Sequence, residues 1–283
     1  MKFTKMHALG NDFLIVNGVQ QHFEPNRDWI REVGDRHRGI GFDQLLHIKS
    51  SDESIADFAL EIFNSDGELA KQCGNGTLCM ARFVHEERLT SKHSIAFKTL
   101  GGLVEATLLK AEIEGGMKVK AELGVPTIDP SGVPFVSETT NLDYELNLGL
   151  ASTPKIRLIP VGMGNPHAVL FKTSACADNL ELIANALQTH QRFPDSVNVE
   201  FAEILDRSRI QIRVFERGAG ETMACGTGAC AAVAAARLAG HVDRSVSVNQ
   251  AGGTALVDWE GPNHPISLTA PASRVFDGEI QLD

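Results

Sequence analysis

Two cysteines of this chain occupy the same setting. Cys73 opens Cys73-Gly74-Asn75-Gly76, and Cys225 opens Cys225-Gly226-Thr227-Gly228. A helix-forming run follows each, from Leu78 to Val84 and from Ala229 to Ala236. A cysteine just ahead of a helix meets free backbone N–H groups and the positive end of the helix dipole, which lower a thiol pKa and favour the thiolate. The same N–H groups bind anions, carboxylates among them, and the glycines let the backbone approach a ligand closely. Each motif therefore predicts a reactive thiol beside a carboxylate cradle. Two such units facing one cleft would grip an amino acid's carboxylate from two helix ends, with a thiol on each face of the α-carbon. That arrangement suits removal of the α-proton from one face and delivery of a proton to the other. The helix ends would stabilise the enediolate-like charge that develops on the way. No lysine stands in a pyridoxal-phosphate motif, so no cofactor is expected.

The other cysteines, Cys79, Cys176 and Cys230, read as small buried hydrophobes. Cys79 and Cys230 fall inside the two apolar helices, so no metal site is expected. Five cysteines is an odd number, and 283 residues need no disulfide staples.

The elements that must carry these motifs recur along the chain. Phe63-Asn64 precedes Cys73, and Phe215-Glu216 precedes Cys225, at an offset of 152 residues. Gly10-Asn11 matches Gly164-Asn165, and Gln44 matches Asn198, both at an offset of 154. Helix-like stretches, Asp28 to Asp35 and Asn179 to Leu187, lie between the first two landmarks of each half. Four landmarks in one order predict a duplication. Short strands are expected at Lys2 to Met6, Phe13 to Val16, Leu45 to Ile48 and Phe58 to Phe63. Their counterparts are Ile156 to Val161, Ala168 to Phe171, Val197 to Phe201 and Ile210 to Phe215. Ala229 to Ala236 has no polar face and belongs in a core. The expected fold is mixed α+β, with two pseudo-symmetric domains, each a curved, mainly antiparallel sheet wrapped around a central helix. The halves are placed at 1–125, completed by a C-terminal strand at 271–283, and at 126–270. The Pro-, Ser-, Thr- and Asn-containing stretch from Pro126 to Pro154 reads as their link.

Composition narrows the partners. With 26 Lys and Arg against 36 Asp and Glu, the formal net charge is −10, which repels phosphate backbones and argues against nucleic acid. The longest apolar run, Ala229 to Ala236, is far too short to span a membrane. Met1 to Met6 lacks the apolar run of a signal peptide, which gives the expectation of a cytoplasmic location.

Several motifs together resemble the diaminopimelate epimerase family. They are Met6-His7-Ala8-Leu9-Gly10-Asn11-Asp12-Phe13, Gln72 to Gly76, Gly162-Met163-Gly164-Asn165-Pro166-His167, Glu216 to Thr222 and Ala224 to Cys230. The similarity extends to Phe276-Asp277-Gly278 and so covers essentially the whole chain. The resemblance implies a cofactor-independent isomerase acting on LL- and meso-2,6-diaminopimelate, on the way to lysine and peptidoglycan precursors. It implies Cys73 as proton donor and Cys225 as acceptor in the LL-to-meso direction, with the roles exchanged in reverse. By the same resemblance Gly74, Asn75, Gly226 and Thr227 hold the reacting end of the substrate. Asn11, Gln44, Asn64, Asn165, Asn198, Glu216 and Arg217 line the pocket. An arginine can clamp a carboxylate with two N–H groups, and Glu216 can receive an ammonium. Taken singly, Glu216-Arg217 also reads as a solvated strand end, and each asparagine as turn chemistry. His167 reads either as a group that orients a catalytic residue or as a structural histidine. Family members often carry tyrosine where this chain has Phe276, near a dimer interface, so a homodimer is expected. Two rivals remain at this level. One is a proline or hydroxyproline epimerase of the same architecture, whose pocket would not need Arg217 and Glu216 together. The other is a silent amino-acid sensor, which would not need both cysteines.

Overall fold

The computed structural model describes residues 1–109, 117–150, 153–171 and 179–281. The chain divides into two compact units, Met1–Glu122 with Thr269–Asp283, and Leu123–Leu268.

The first unit contains β1 (Lys2–Ala8), β2 (Asn11–Asn17), α1 (Arg27–Gly34), β3 (Gln44–Ser50), β4 (Phe58–Asn64), β5 (Leu69–Ala70), α2 (Gly74–Glu86), β6 (Ser94–Thr99), β7 (Gly102–Leu108) and β8 (Lys118–Glu122). The second contains β9 (Tyr144–Leu150), β10 (Thr153–Gly162), β11 (Pro166–Phe171), α3 (Leu180–Gln188), β12 (Asn198–Asp206), β13 (Arg209–Glu216), β14 (Gly220–Thr222), α4 (Gly226–Leu238), β15 (Ser245–Gln250) and β16 (Gly253–Trp259). The last strand, β17 (Ile266–Glu279), pairs with β1 and β8 of the first unit.

The pairing scheme repeats. In the first unit β1 and β2 are antiparallel, β2 and β3 parallel, β3 and β4 antiparallel, and β4 and β6 parallel. In the second, β10 and β11 are antiparallel, β11 and β12 parallel, β12 and β13 antiparallel, and β13 and β15 parallel. Phe13 pairs with Gln44 in the first parallel ladder, and His167 with Asn198 in the second. These registers carry the same 154-residue offset as the sequence landmarks.

Alternation along the strands assigns their faces. Leu14, Val16, Leu45 and Phe63 pack with Ile30 and Val33 of α1, whose start is capped by the Asn26 side chain. Ala168, Leu170, Val199, Phe201 and Phe215 pack with Ile183, Ala184 and Leu187 of α3. The alternate residues, among them Asn11, Phe13, Gln44, Leu46 and Asn64, then belong to the opposite face, which α2 covers. In the second unit those alternates include Asn165, His167, Asn198 and Glu200, on the side of α4. Asn11, Gln44, Asn64, Asn198 and Glu216 therefore sit at strand ends, each two residues from an apolar or buried neighbour on the same face, and Asn165 and Arg217 lie one residue outside β11 and β13.

Gly226 to Ala236 of α4 is buried throughout, as an all-apolar helix requires. The stretch read as a link behaves otherwise in part. Val133, Phe135, Tyr144 and Leu146 enter the core of the second unit, and β9 pairs with β10. The period-two pattern Tyr144, Leu146, Leu148 was obscured by the polar residues that precede it. Among the described residues no helix is long and apolar enough to cross a membrane.

Candidate active site

Both motif cysteines are helix N-caps. Cys73 (φ −145°, ψ 111°) and Cys225 (φ −125°, ψ 117°) hold extended backbone just before α2 and α4. The Cys73 sulfur accepts from the Gly76 N–H at 3.3 Å, and the Cys225 sulfur from the Gly228 N–H at 3.4 Å. A thiol thus stands where serine or aspartate usually caps a helix. The second glycine of each motif is also required by packing. A Cβ on Gly76 would lie 3.2 Å from Leu46 Cδ2, and one on Gly228 only 2.8 Å from Glu200 Oε1.

In the first unit Cys73 is half-buried, and its sulfur lies 4.0 Å from Asn11 Oδ1. Asn75 Nδ2 donates to the same oxygen at 3.3 Å. Asn11 Nδ2 donates to Asp43 Oδ2 at 2.8 Å, which fixes the orientation of its amide. Asp43 in turn belongs to an ion cluster with Asp12, Arg36 and Lys5. Burial works to raise the Asp12 carboxyl, but hydrogen bonds and charge from Arg36 and Lys5 outweigh it and hold the pKa at about 2. Gln44 Nε2 donates to Asn64 Oδ1 at 2.9 Å across the β3–β4 pair, and Gln44 Oε1 is buried with no hydrogen-bond partner among the described residues.

In the second unit Cys225 is buried, and its N–H donates to Gln250 Oε1 at 2.8 Å. Its sulfur lies 3.5 Å from Thr227 Oγ1. Burial pushes the Cys225 thiol well up, and the charges of Glu216 and Glu200 add to this. The Thr227 hydroxyl and the Gly228 N–H work the other way and do not prevail. This corrects the expectation that the helix start alone would lower the pKa, because removal from water and two nearby carboxylates outweigh one N–H and one hydroxyl. Asn198 Oδ1 accepts from the Arg217 N–H at 2.9 Å, and Asn198 Nδ2 donates to Pro166 O at 3.3 Å. Glu216 Oε1 accepts from Thr222 Oγ1 at 2.7 Å. The Arg217 guanidinium donates to Asp195 O at 2.6 Å. Asn165 and His167 meet at 3.0 Å, and His167 lies 2.6 Å from Glu200.

Cys79 and Cys230 are fully buried, and burial raises both thiols. Cys176 lies outside the described residues. Phe276 on β17 is 46% exposed and packs edge-on against Phe3 at 6.0 Å. Among the described residues no group of His, Cys, Asp and Glu is arranged to hold a metal ion. Sequence reasoning missed Asp43, Gln250 and Glu200. Glu200 carried a signal, because the 154-residue offset sets it opposite Leu46, an acid where the other half is apolar.

The architecture is that of strand-rich racemase- and epimerase-type folds. The chain superimposes on a hydroxyproline epimerase from Agrobacterium vitis with a TM-score of 0.71 and 17% identity, over 98% of this chain and 91% of that one. A probable proline racemase from Agrobacterium radiobacter gives a TM-score of 0.72 and 18% identity, over 100% and 93%. A phenazine biosynthesis protein of the PhzF family from Bacillus anthracis gives 0.69 and 17%, over 100% and 99%. At these identities the likeness concerns the fold. The chain belongs to the diaminopimelate epimerase family, whose model matches residues 3–128 and 159–275. Proteins named diaminopimelate epimerase from Pseudomonas syringae and Nitrosomonas europaea are each 42% identical over 282 residues, covering 100% of this chain and 99% of theirs.

Proposed function

We propose that this protein interconverts LL- and meso-2,6-diaminopimelate by a two-cysteine acid/base mechanism without a cofactor. The observation that carries the reading is the pair of cysteine N-caps, each at the same place in a repeated unit of a diaminopimelate epimerase family member. In the LL-to-meso direction the Cys225 thiolate takes the α-proton, and the Cys73 thiol delivers its own proton to the opposite face. The roles exchange in reverse. N–H groups of the first helical turns, at Gly74-Asn75 and Gly226-Thr227, hold the carboxylate and stabilise the enediolate-like charge. The substrate ammonium offsets the Glu216 charge that helps to hold the proton on Cys225. Asn11, Gln44, Asn64, Asn165, Asn198, Glu216 and Arg217 line the pocket, and several of them read the distal amino-acid end.

The same reading takes each half, 1–125 with the C-terminal strand and 126–270, as a curved sheet wrapped around its cysteine-capped helix. It also takes the protein as a cytoplasmic homodimer with Phe276 at the interface and with no nucleic-acid partner.

The test is to incubate pure protein with LL-diaminopimelate and quantify the meso isomer by chiral chromatography. The expected result is approach to an equilibrium mixture without added pyridoxal phosphate or metal. Racemisation of proline with diaminopimelate untouched would select the proline-type rival, and no turnover of either would select the silent sensor.

A further inference from the structure

Beneath the first turn of α4 lies a buried carboxylate that the reaction scheme leaves unused. Glu200 and His167 are both fully buried, with His167 Nδ1 2.6 Å from Glu200 Oε1. The other oxygen, Oε2, is buried with no hydrogen-bond partner among the described residues. Leaving such an atom unsatisfied is costly, so its retention calls for a reason.

The repeat supplies a control. At the equivalent places the first unit has Phe13 for His167 and Leu46 for Glu200, in matching ladder registers. Leu46 sits under Gly76 as Glu200 sits under Gly228. Apolar side chains therefore fill the same positions under the other cysteine-capped helix, and packing does not demand an acid and an imidazole.

The hydrogen bonds show what the polar pair adds. His167 Nε2 lies 3.0 Å from Asn165 Oδ1, which can only accept, so Nε2 carries a proton and donates it. The remaining ring nitrogen shares a second proton with Glu200. The Asn165 amide is thereby held by its oxygen, and its N–H groups are directed away from the pair. Asn11, the equivalent residue of the first unit, is held the other way. Its N–H2 group donates to Asp43, and its oxygen faces the Cys73 sulfur and the Asn75 amide.

We propose that Glu200 is a positioning residue that acts through His167 to present the Asn165 N–H2 group to a carboxylate oxygen of the substrate, so that Asn165 donates where Asn11 accepts. This rests on the epimerase reading. Glu200→Leu removes the hydrogen bond at similar volume, and Asn165→Ala removes the group that Glu200 positions. Each single variant is expected to lower kcat/KM for diaminopimelate by about tenfold, mainly through KM. The double variant is expected to be no worse than the weaker single, since both remove one interaction. Glu200→Gln, whose N–H2 group can donate to the bare Nδ1 of an Nε2-protonated His167, is expected to stay within about threefold of wild type. Multiplying effects, or an unchanged Glu200→Leu enzyme, would overturn the proposal.

If Glu200→Leu fails to fold, Glu200→Gln and the histidine spectrum decide. In protein labelled with nitrogen-15 histidine, NMR is expected to show His167 protonated on Nε2 from pH 7 to 9 in wild type and in Glu200→Gln. A bare Nε2 would mean that the Asn165 amide points the other way, and the proposal would fall. The spectrum needs no turnover, and wild-type turnover tests the epimerase reading by itself, so the two can fail separately.

Discussion

The two motif thiols are alike in backbone and unlike in surroundings. Both cap a helix and accept an N–H from the second glycine of the motif. Cys73 is half-buried beside the Asn11 and Asn75 amides, whereas Cys225 is buried with the Glu216 and Glu200 carboxylates at hand. Substitution tests whether the motif cysteines react while the other two only pack. Cys73→Ala and Cys225→Ala are each expected to abolish epimerisation with the thermal transition almost unmoved. Cys79→Ala and Cys230→Ala are expected to keep turnover and to lose roughly 1 kcal/mol of stability, because both side chains are fully enclosed in helix cores. Steady-state rates and melting curves of the four variants check this. Near-normal turnover in either of the first two would remove that cysteine from the chemistry.

At the scale of elements, the chain holds its site residues by strand ends and by ions that join neighbouring strands. Asp12 of β2 is clamped by Lys5 of β1 and by Arg36, which also reaches Asp43 just before β3. Its carboxyl, at about 2 against an ordinary 3.8, favours the folded state whenever it is ionised. That contribution is fully present above about pH 4 and is lost as the pH falls towards 2, where the native carboxyl takes up its proton. It amounts to about 2 kcal/mol. Asp12→Asn is therefore expected to lower stability at pH 7 by about that much and to converge on wild type near pH 2, as read from urea midpoints. Equal midpoints at pH 7 would contradict the role. Most landmarks of these elements were legible in the sequence. The Cys-Gly-x-Gly starts, the 154-residue offset and the all-apolar run in α4 each state a local rule. What stayed hidden depends on contacts across strands. No local pattern says that Asp43 orients Asn11, that Gln250 takes the Cys225 N–H, or that burial raises the Cys225 thiol. Tyr144, Leu146 and Leu148 alternated as a strand should, but polar neighbours outweighed the pattern.

At the scale of the whole molecule, two claims go beyond a single chain half. The first is assembly. Phe276 and Val275 are 46% and 55% exposed on β17, an apolar pair that a second copy would cover. Sedimentation is expected to give a dimer for wild type and a shift to monomer for Phe276→Asp, while a monomeric wild type would contradict the assembly. The second and central claim is that two thiols share one proton transfer. In heavy water the donating thiol carries deuterium before substrate binds, because thiol protons exchange quickly with solvent. The abstracting thiol holds the original proton while substrate is bound. The decisive measurement is proton NMR or mass spectrometry of the reaction from LL-diaminopimelate in heavy water at low conversion. New meso product should carry solvent deuterium at the inverted carbon, while the remaining LL substrate stays almost unlabelled. Substantial unlabelled meso product would mean that one group carries the proton across, and the two-cysteine account would be wrong.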